Sequence, residues 1–228
     1  MQILTENSLQ TFKSNTNENK TIANILCSRL KKYLDRKILD IGAGAGDIAF
    51  FAFPETEAIL IDILEFRNYP ISNRHKRIKA DFFDVAHQFK NFSGTILLSH
   101  SIQYLDNRYD DLIAAINLIN SKTLITVTNI NTGFLGVFID WVLKNLPDTN
   151  PEVSLQGFPE CCNYSKIENV VFSAHVSENS FKQLAKLAAY LIDTSNPVYL
   201  DKIECFIRHN LQSPSFEIMQ SIDVYKKE

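Results

Sequence analysis

The sequence predicts a doubly wound α/β fold built on seven strands. Three observations carry that reading. Three of the chain's seven glycines, Gly42, Gly44 and Gly46, fall together in a chain otherwise poor in glycine. A short β-like apolar run precedes them, and a run able to start a helix follows. Further short apolar runs recur along the chain with helical patterns between them. Nearly continuous apolar strands that alternate with helices indicate a parallel sheet covered on both faces.

Each element follows from its own stretch. Residues 21–34 place Ile22, Ile25, Leu26, Leu30 and Leu34 on one side, the spacing of an amphipathic helix. Ahead of it, residues 11–20 are polar and read as mobile. Residues 37–41 form the first strand, and the glycines turn the chain into a helix that begins at Asp47. Residues 58–63 read as the second strand, 75–80 as a weaker third ending at Asp81, and 94–99 as the fourth. Residues 110–119 carry apolar side chains at helical spacing. The β-branched run 122–128 is the clearest strand, the fifth. A helix over 134–146 ends with the help of Pro147. Residues 148–165, with Pro151, Gly157 and Pro159, read as loop. A sixth strand is expected at 170–176, and Ser177 as the cap of a helix that runs to Ile192. Another helix covers 200–211, and the alternation of Phe216, Ile218, Ile222 and Val224 makes 215–225 the last strand.

Composition narrows the function classes. A chain of 228 residues can bury a full core and is expected to form one domain. With 45% hydrophobic and 21% charged residues it is neither a fibre, a coiled coil nor a disordered tail. Its 23 basic and 26 acidic residues give a net charge of −3 without a basic stripe, which argues against nucleic acid or an anionic membrane as partner. The short basic runs at 29–32 and 74–79 read as solvated faces. No stretch reaches the roughly eighteen apolar residues of a spanning helix. No basic start precedes an apolar stretch near the N terminus, so a cytoplasmic location is expected. Cys27, Cys161, Cys162 and Cys205 have no metal-ligand spacing and read as reduced thiols. No metal site is expected, and the expected assembly is a monomer or homodimer.

The stretch Ile38-Leu39-Asp40-Ile41-Gly42-Ala43-Gly44-Ala45-Gly46-Asp47 has a physical job. Glycines let the backbone turn tightly and approach a ligand closely. Free N–H groups at the following helix start favour a polar or anionic ligand. In the nicotinamide-binding fingerprint the third glycine comes after two residues; here it comes after one. This form resembles the first motif of the class I S-adenosylmethionine-dependent methyltransferases, hydrophobic-Leu-Asp-hydrophobic-Gly-x-Gly-x-Gly, and residues 38–46 match it throughout.

The resemblance implies S-adenosylmethionine as cofactor. It also implies a Rossmann-like, seven-stranded methyltransferase fold, mostly parallel with an antiparallel last strand. Residues 1–35 would be an N-terminal helical lid, 36–130 the cofactor-binding half, and 131–228 the substrate-side half with a helical insertion. Gly42, Ala43, Gly44 and Gly46 would cradle the cofactor, with Asp40 either bracing the loop or touching the ligand. Asp62, at the end of the second strand, can accept hydrogen bonds from both ribose hydroxyls, and Ile63 follows it. By the same resemblance Asp81 accepts the adenine amino group and Phe82 packs on the adenine. Ser99 opens the stretch Ser99-His100-Ser101-Ile102-Gln103-Tyr104, which looks like the Ser-His-containing fourth motif of many small-molecule methyltransferases.

Methyl transfer from a sulfonium is an in-line displacement in which the protein chiefly positions and desolvates. Candidate acceptor contacts lie beyond the carboxyl ends of the fourth and fifth strands: His100, Gln103, Tyr104, Asn129, Asn131 and Phe134. Imidazole takes up a proton near neutral pH, so His100 is a candidate base, or else it fixes the cofactor loop. Tyr104 is the other candidate catalytic side chain. His175 reads as structural. The order Phe12, polar residues, Thr16 and Glu18 ahead of a helix is similar to the N-terminal region of the histamine N-methyltransferase family, as is a helical insertion before the last strand. That resemblance gives Glu18 the role of reaching an amine substrate. It puts His100 where that family has a glutamine, so that part of the pattern is not matched.

The reading is therefore methyl transfer to a small molecule, an amine nitrogen preferred. Rival readings are a reaction on the aminocarboxypropyl arm of the same cofactor, a nicotinamide-dependent oxidoreductase, and a non-catalytic binding module. The Asn/Asp-Pro-Pro-aromatic motif of DNA- and glutamine-methylating families is absent at 99–102.

Overall fold

Short apolar runs bounded by turn residues fit strands in the middle of a sheet. The computed structural model, which describes residues 14–66, 69, 71–102, 108–147, 149, 163–192, 194 and 196–227, bears this out. In chain order the elements are α1 (Glu18–Ser28), a 3-10 turn (Lys31–Tyr33), β1 (Lys37–Ile41), α2 (Asp47–Ala52), β2 (Glu57–Asp62), β3 (His75–Lys79), α3 (Phe82–Val85), β4 (Thr95–Ser99), α4 (Tyr109–Leu118), β5 (Thr123–Asn129), α5 (Gly133–Asn145), β6 (Tyr164–Ser177), α6 (Phe181–Tyr190), α7 (Pro197–Asn210) and β7 (Ser215–Lys227). The seven strands make one sheet in the order β3-β2-β1-β4-β5-β7-β6.

The first five strands pair in parallel. Ile41 lies opposite Ile61, Asp40 opposite Leu97, and Leu97 opposite Ile125. Ile130 N–H bonds to the Met219 carbonyl and Lys227 N–H to the Lys122 carbonyl, at opposite ends of the β5–β7 pair. That inversion makes β7 antiparallel to β5, the expected arrangement of the last strand.

Period-2 alternation sends successive side chains of each strand to opposite faces of the sheet. Leu39, Ile41, Ile61, Ile96, Leu98 and Leu124 belong to one buried cluster with Phe82, Phe89, Leu112 and Ile116. The alternate residues Ile38, Leu97, Ile125 and Val127 are just as buried, so both faces of the sheet are covered.

By its internal contacts the chain divides into two compact units. One holds 19–129, 155–171 and 221–228, and the other the residues up to Glu18 with 130–154 and 172–220. The second unit has its own core. Leu135, Phe138 and Val142 of α5 join Val176, Leu184, Leu187, Ile192, Ile203, Ile207, Phe216 and Ile218. Ser180 accepts from Gln183 N–H at the start of α6, and Asn196 from Val198 N–H at the start of α7.

Several boundaries differ from expectation for identifiable reasons. The first helix starts at Glu18 and is over by Ser28. The preceding residues, read as mobile, are held where described: Thr16 bridges Val176, Asn17 N–H bonds to the His175 carbonyl, and Ser177 N–H to the Asn15 carbonyl. Strand β6 begins at Tyr164, where loop was expected, and runs fourteen residues. Its polar first half finds cross-strand partners: Lys166 Nζ lies 3.0 Å from Asp223 and Asn169 Nδ2 is 2.7 Å from Ser221 Oγ. Because β6 continues through Ser177, the cap of α6 is Ser180 instead of Ser177. Helix α7 starts at Pro197, whose fixed φ suits a first turn.

Candidate active site

Chain order defines where a ligand can enter. From β1 the chain builds outward through β2 and β3, then returns to place β4 on the other side of β1. The carboxyl ends of β1 and β4 therefore face a crevice at a topological switch point. The loop after β1 is shaped for close approach. Gly42, Gly44 and Gly46 all have left-handed backbones, with φ of 71°, 55° and 81°, a region that side-chain-bearing residues rarely enter. A side chain on Gly42 would collide with Ser101 Cβ, and one on Gly46 would meet Leu60 at 2.7 Å. Gly42 and Ala43 N–H groups both bond to the Ile61 carbonyl, which fixes the loop to the end of β2.

Asp62 organises the rest. Its Oδ2 accepts from Gly44 N–H at 2.7 Å and its Oδ1 from Leu64 N–H at 2.8 Å. One half-buried carboxylate thus holds the middle glycine of the loop and the chain leaving β2. A carboxylate has roughly four acceptor directions, and these two backbone bonds use one on each oxygen. Ile63, the next residue, lies outside β2 and is 56% exposed. A cavity of about 200 Å³ lies here, lined by Gly44, Asp62, Leu64 and Phe66 among others. Asp40, within β1 beneath the loop, is 2% exposed.

Two adenine-side expectations change. Asp81 caps α3: its Oδ1 accepts from Phe83 N–H at 2.9 Å, and its Oδ2 pairs with Arg108 Nη1 at 3.1 Å. Phe82 belongs to the buried cluster under the sheet, because the first turn of α3 points it inward, so it offers no stacking face. The partly exposed aromatic is its neighbour Phe83, whose ring carries the Arg108 guanidinium 3.7 Å above its centroid.

Ser99 ends β4 and is half-buried. His100 follows with φ 52°, the one side-chain-bearing residue among those described with a positive φ. Its N–H bonds to the Val127 carbonyl of β5. Left-handed backbone at such a residue costs about 1 kcal/mol or more, and sites of this kind concentrate where function fixes geometry. Ser101, which the sequence pattern does not single out, is buried against Gly42, and its Oγ has no hydrogen-bond partner. Gln103 and Tyr104 lie outside the described residues.

Asn129 ends β5 and is buried. Asn131, Phe134 and Glu18 belong to the other unit. Asn131 lines an open pocket of about 260 Å³ with Thr132, Gly133 and Gly136, and its Oδ1 is buried without a partner. Phe134, expected to contact an acceptor, is instead packed among aromatics, 4.8 Å from Phe216 and 6.0 Å from Phe138 between centroids. Glu18 is 8% exposed at the first turn of α1, which excludes a plain solvated side chain. Gln220, fully buried on β7, donates from Nε2 to Glu18 Oε1. Sequence reasoning missed Gln220 because its partner lies 202 residues away in the chain. Among the described residues no group of three His, Cys, Asp or Glu side chains is placed to hold a metal. No helix among them is long and apolar enough to cross a membrane.

No protein-family model matches the chain, and no curated protein matches its sequence. Solved structures do resemble it. A proposed type II methyltransferase from Anaeromyxobacter dehalogenans superposes with a TM-score of 0.53 at 13% identity, covering 91% of this chain and 92% of that one. The fold is that of the Rossmann-like methyltransferases. The cyclase SpnF matches with a TM-score of 0.53 at 14% identity over 91% and 80% of the two chains. A proposed sarcosine dimethylglycine methyltransferase from Galdieria sulphuraria matches with 0.51 at 12% over 93% and 86%. The glycine loop after β1 and the Asp62 carboxylate at the end of β2 lie within that fold.

Proposed function

We propose that this protein binds S-adenosylmethionine and transfers its methyl group to a small-molecule acceptor, an amine nitrogen by preference. The observation that carries the reading is the left-handed glycine loop whose middle N–H is held by Asp62. The residues fit the group. The glycine loop brings backbone close to the amino-acid arm, Asp62 offers its carboxylate to ribose hydroxyls, and exposed Ile63 offers an apolar face to the adenine. Bound S-adenosylmethionine supplies an electrophilic methyl on a sulfonium; the chain supplies placement and exclusion of water. Asp81 retains an oxygen for the adenine amino group if Arg108 gives way. His100 is held at the carboxyl end of β4 and takes the role of proton acceptor.

The amine preference rests on Glu18. A carboxylate buried at the start of α1 stabilises positive charge on a nitrogen acceptor, and Gln220 fixes its orientation. The Galdieria structure, named as a proposed sarcosine dimethylglycine methyltransferase, has the same fold. Asn129 and Asn131 are the proposed polar contacts for the rest of the acceptor, with Gln103 and Tyr104 kept in the roles the sequence suggests. Nucleic acid and membrane are not the proposed partners, and the proposed location is the cytoplasm. One domain, monomeric or paired with a second copy, remains the proposed organisation.

A second reading keeps the cofactor and changes the bond broken. It would use the same glycine loop and the same Asp62 carboxylate. One experiment tests both: the purified protein is incubated with S-adenosylmethionine alone, binding is read by calorimetry and products by mass spectrometry. Binding with the cofactor left intact supports methyl transfer that awaits an acceptor. Accumulating methylthioadenosine transfers the reading to the aminocarboxypropyl arm. Absence of binding overturns both.

A further inference from the structure

Arg77 on β3, within a run that the sequence reads as a solvated face, is instead half-buried and joins the two loops that would hold the cofactor. Its Nη2 donates to the Ala45 carbonyl at 2.5 Å, and Ala45 sits between Gly44 and Gly46. Its Nη1 donates to the carbonyls of Phe66, at 2.5 Å, and Tyr69, at 3.0 Å, in the chain beyond Asp62 and Ile63. The same side chain lines the cavity shared by Gly44 and Asp62. Its Nε is buried with no hydrogen-bond partner.

A charged group is an expensive way to fill space. Burial lowers the pKa of the guanidinium, and the Asp47 carboxylate works against that. Guanidinium stays charged in proteins, so its burial is offset by the acceptors it reaches. What a planar fork adds is geometry: donors fixed in one plane reach two loops at once, which a lysine's point charge does not. Arg77 itself is paired into the sheet, in register with Leu60 of β2. The two loops are therefore referenced to the sheet through one side chain.

We propose that Arg77 is a positioning residue for cofactor binding, setting the distance between the glycine loop and the Asp62–Ile63 edge by bonding the carbonyls of Ala45, Phe66 and Tyr69. It acts through those loops and does not touch the reacting atoms. The inference rests on the cofactor reading above.

The test uses the full chain carrying Arg77→Met, Arg77→Lys or, as a surface control, Arg74→Met. Calorimetry reads S-adenosylmethionine affinity, and amide hydrogen exchange reads residues 63–66. Arg77→Met is expected to keep a cooperative unfolding transition, to speed exchange at 63–66, and to weaken binding about tenfold or more, the size expected for losing charge-assisted bonds. Arg77→Lys is expected to recover only part of the affinity, and it carries the test if Arg77→Met does not fold. Arg74→Met, whose arginine pairs with exposed Glu55, should bind as the natural chain does. A folded Arg77→Met that binds as tightly as the natural chain overturns the proposal and leaves the cofactor reading standing. A natural chain that binds no S-adenosylmethionine overturns both.

Discussion

Asp62 joins two backbone segments through one carboxylate, so its removal acts in two ways. Asp62→Ala frees Gly44 N–H and Leu64 N–H and deletes the acceptors proposed for the ribose. Loss of charge-assisted hydrogen bonds of this kind costs about 1–3 kcal/mol of binding. Calorimetric titration of the variant with S-adenosylmethionine checks this, and unchanged affinity removes the ribose role. Glu18 calls for a different readout. In Glu18→Gln the shape is kept and the charge is lost, so turnover of an amine acceptor should fall by about tenfold or more while cofactor affinity holds. Equal turnover returns Glu18 to a purely structural pairing with Gln220. Gly42 is legible at the same scale: the pattern marks it as a close approach, and the collision that any Cβ there would have with Ser101 gives the physical reason. Ser101 itself carries no such mark, because a serine after a strand is ordinary until its neighbour across the sheet is known.

At the scale of elements, helix ends and strand lengths are set by partners as much as by propensity. The N-cap of α7 is Asn196, whose Oδ1 accepts from Val198 N–H at 3.0 Å. Asn196→Ala should cost about 1 kcal/mol of stability, measured as a shift in the chemical unfolding midpoint with unchanged slope. No shift would mean that solvent replaces the cap at no cost. Strand β6 shows the opposite case. Its first half has no alternation of apolar residues, and it extends because Tyr164, Lys166, Glu168 and Asn169 each find a bonding partner, on β7 or elsewhere in the same unit. A period-2 pattern reports one-sided burial, so a strand held by polar cross-links is silent to it. The parallel strands β1, β4 and β5 were plain in the sequence because both of their faces are buried.

For the molecule as a whole, two hydrophobic cores carry the stability, one in each unit. Phe138 of α5 is fully buried among Phe134, Trp141 and Phe206. Phe138→Ala should cost about 3–5 kcal/mol by lost burial and the cavity it leaves. Denaturant titration monitored through Trp141, the chain's single tryptophan, reads that core directly. A loss below about 1 kcal/mol would mean that the aromatic cluster closes over the gap.

The seven strands, the glycine loop, the carboxylate twenty residues later and the order in which they occur were legible along the chain. These are local: a left-handed turn needs glycine wherever the chain goes, and a strand buried on both faces needs an apolar run. The folded chain alone reveals that Phe82 turns into the core, that Asp81 is shared between a helix cap and Arg108, that Glu18 is buried against Gln220, and that Arg77 bonds the loops after β1 and β2. Each of those depends on which residues distant in the chain arrive at the same place, and hydrogen bonds and packing act on distance in space, which spacing along the chain does not encode.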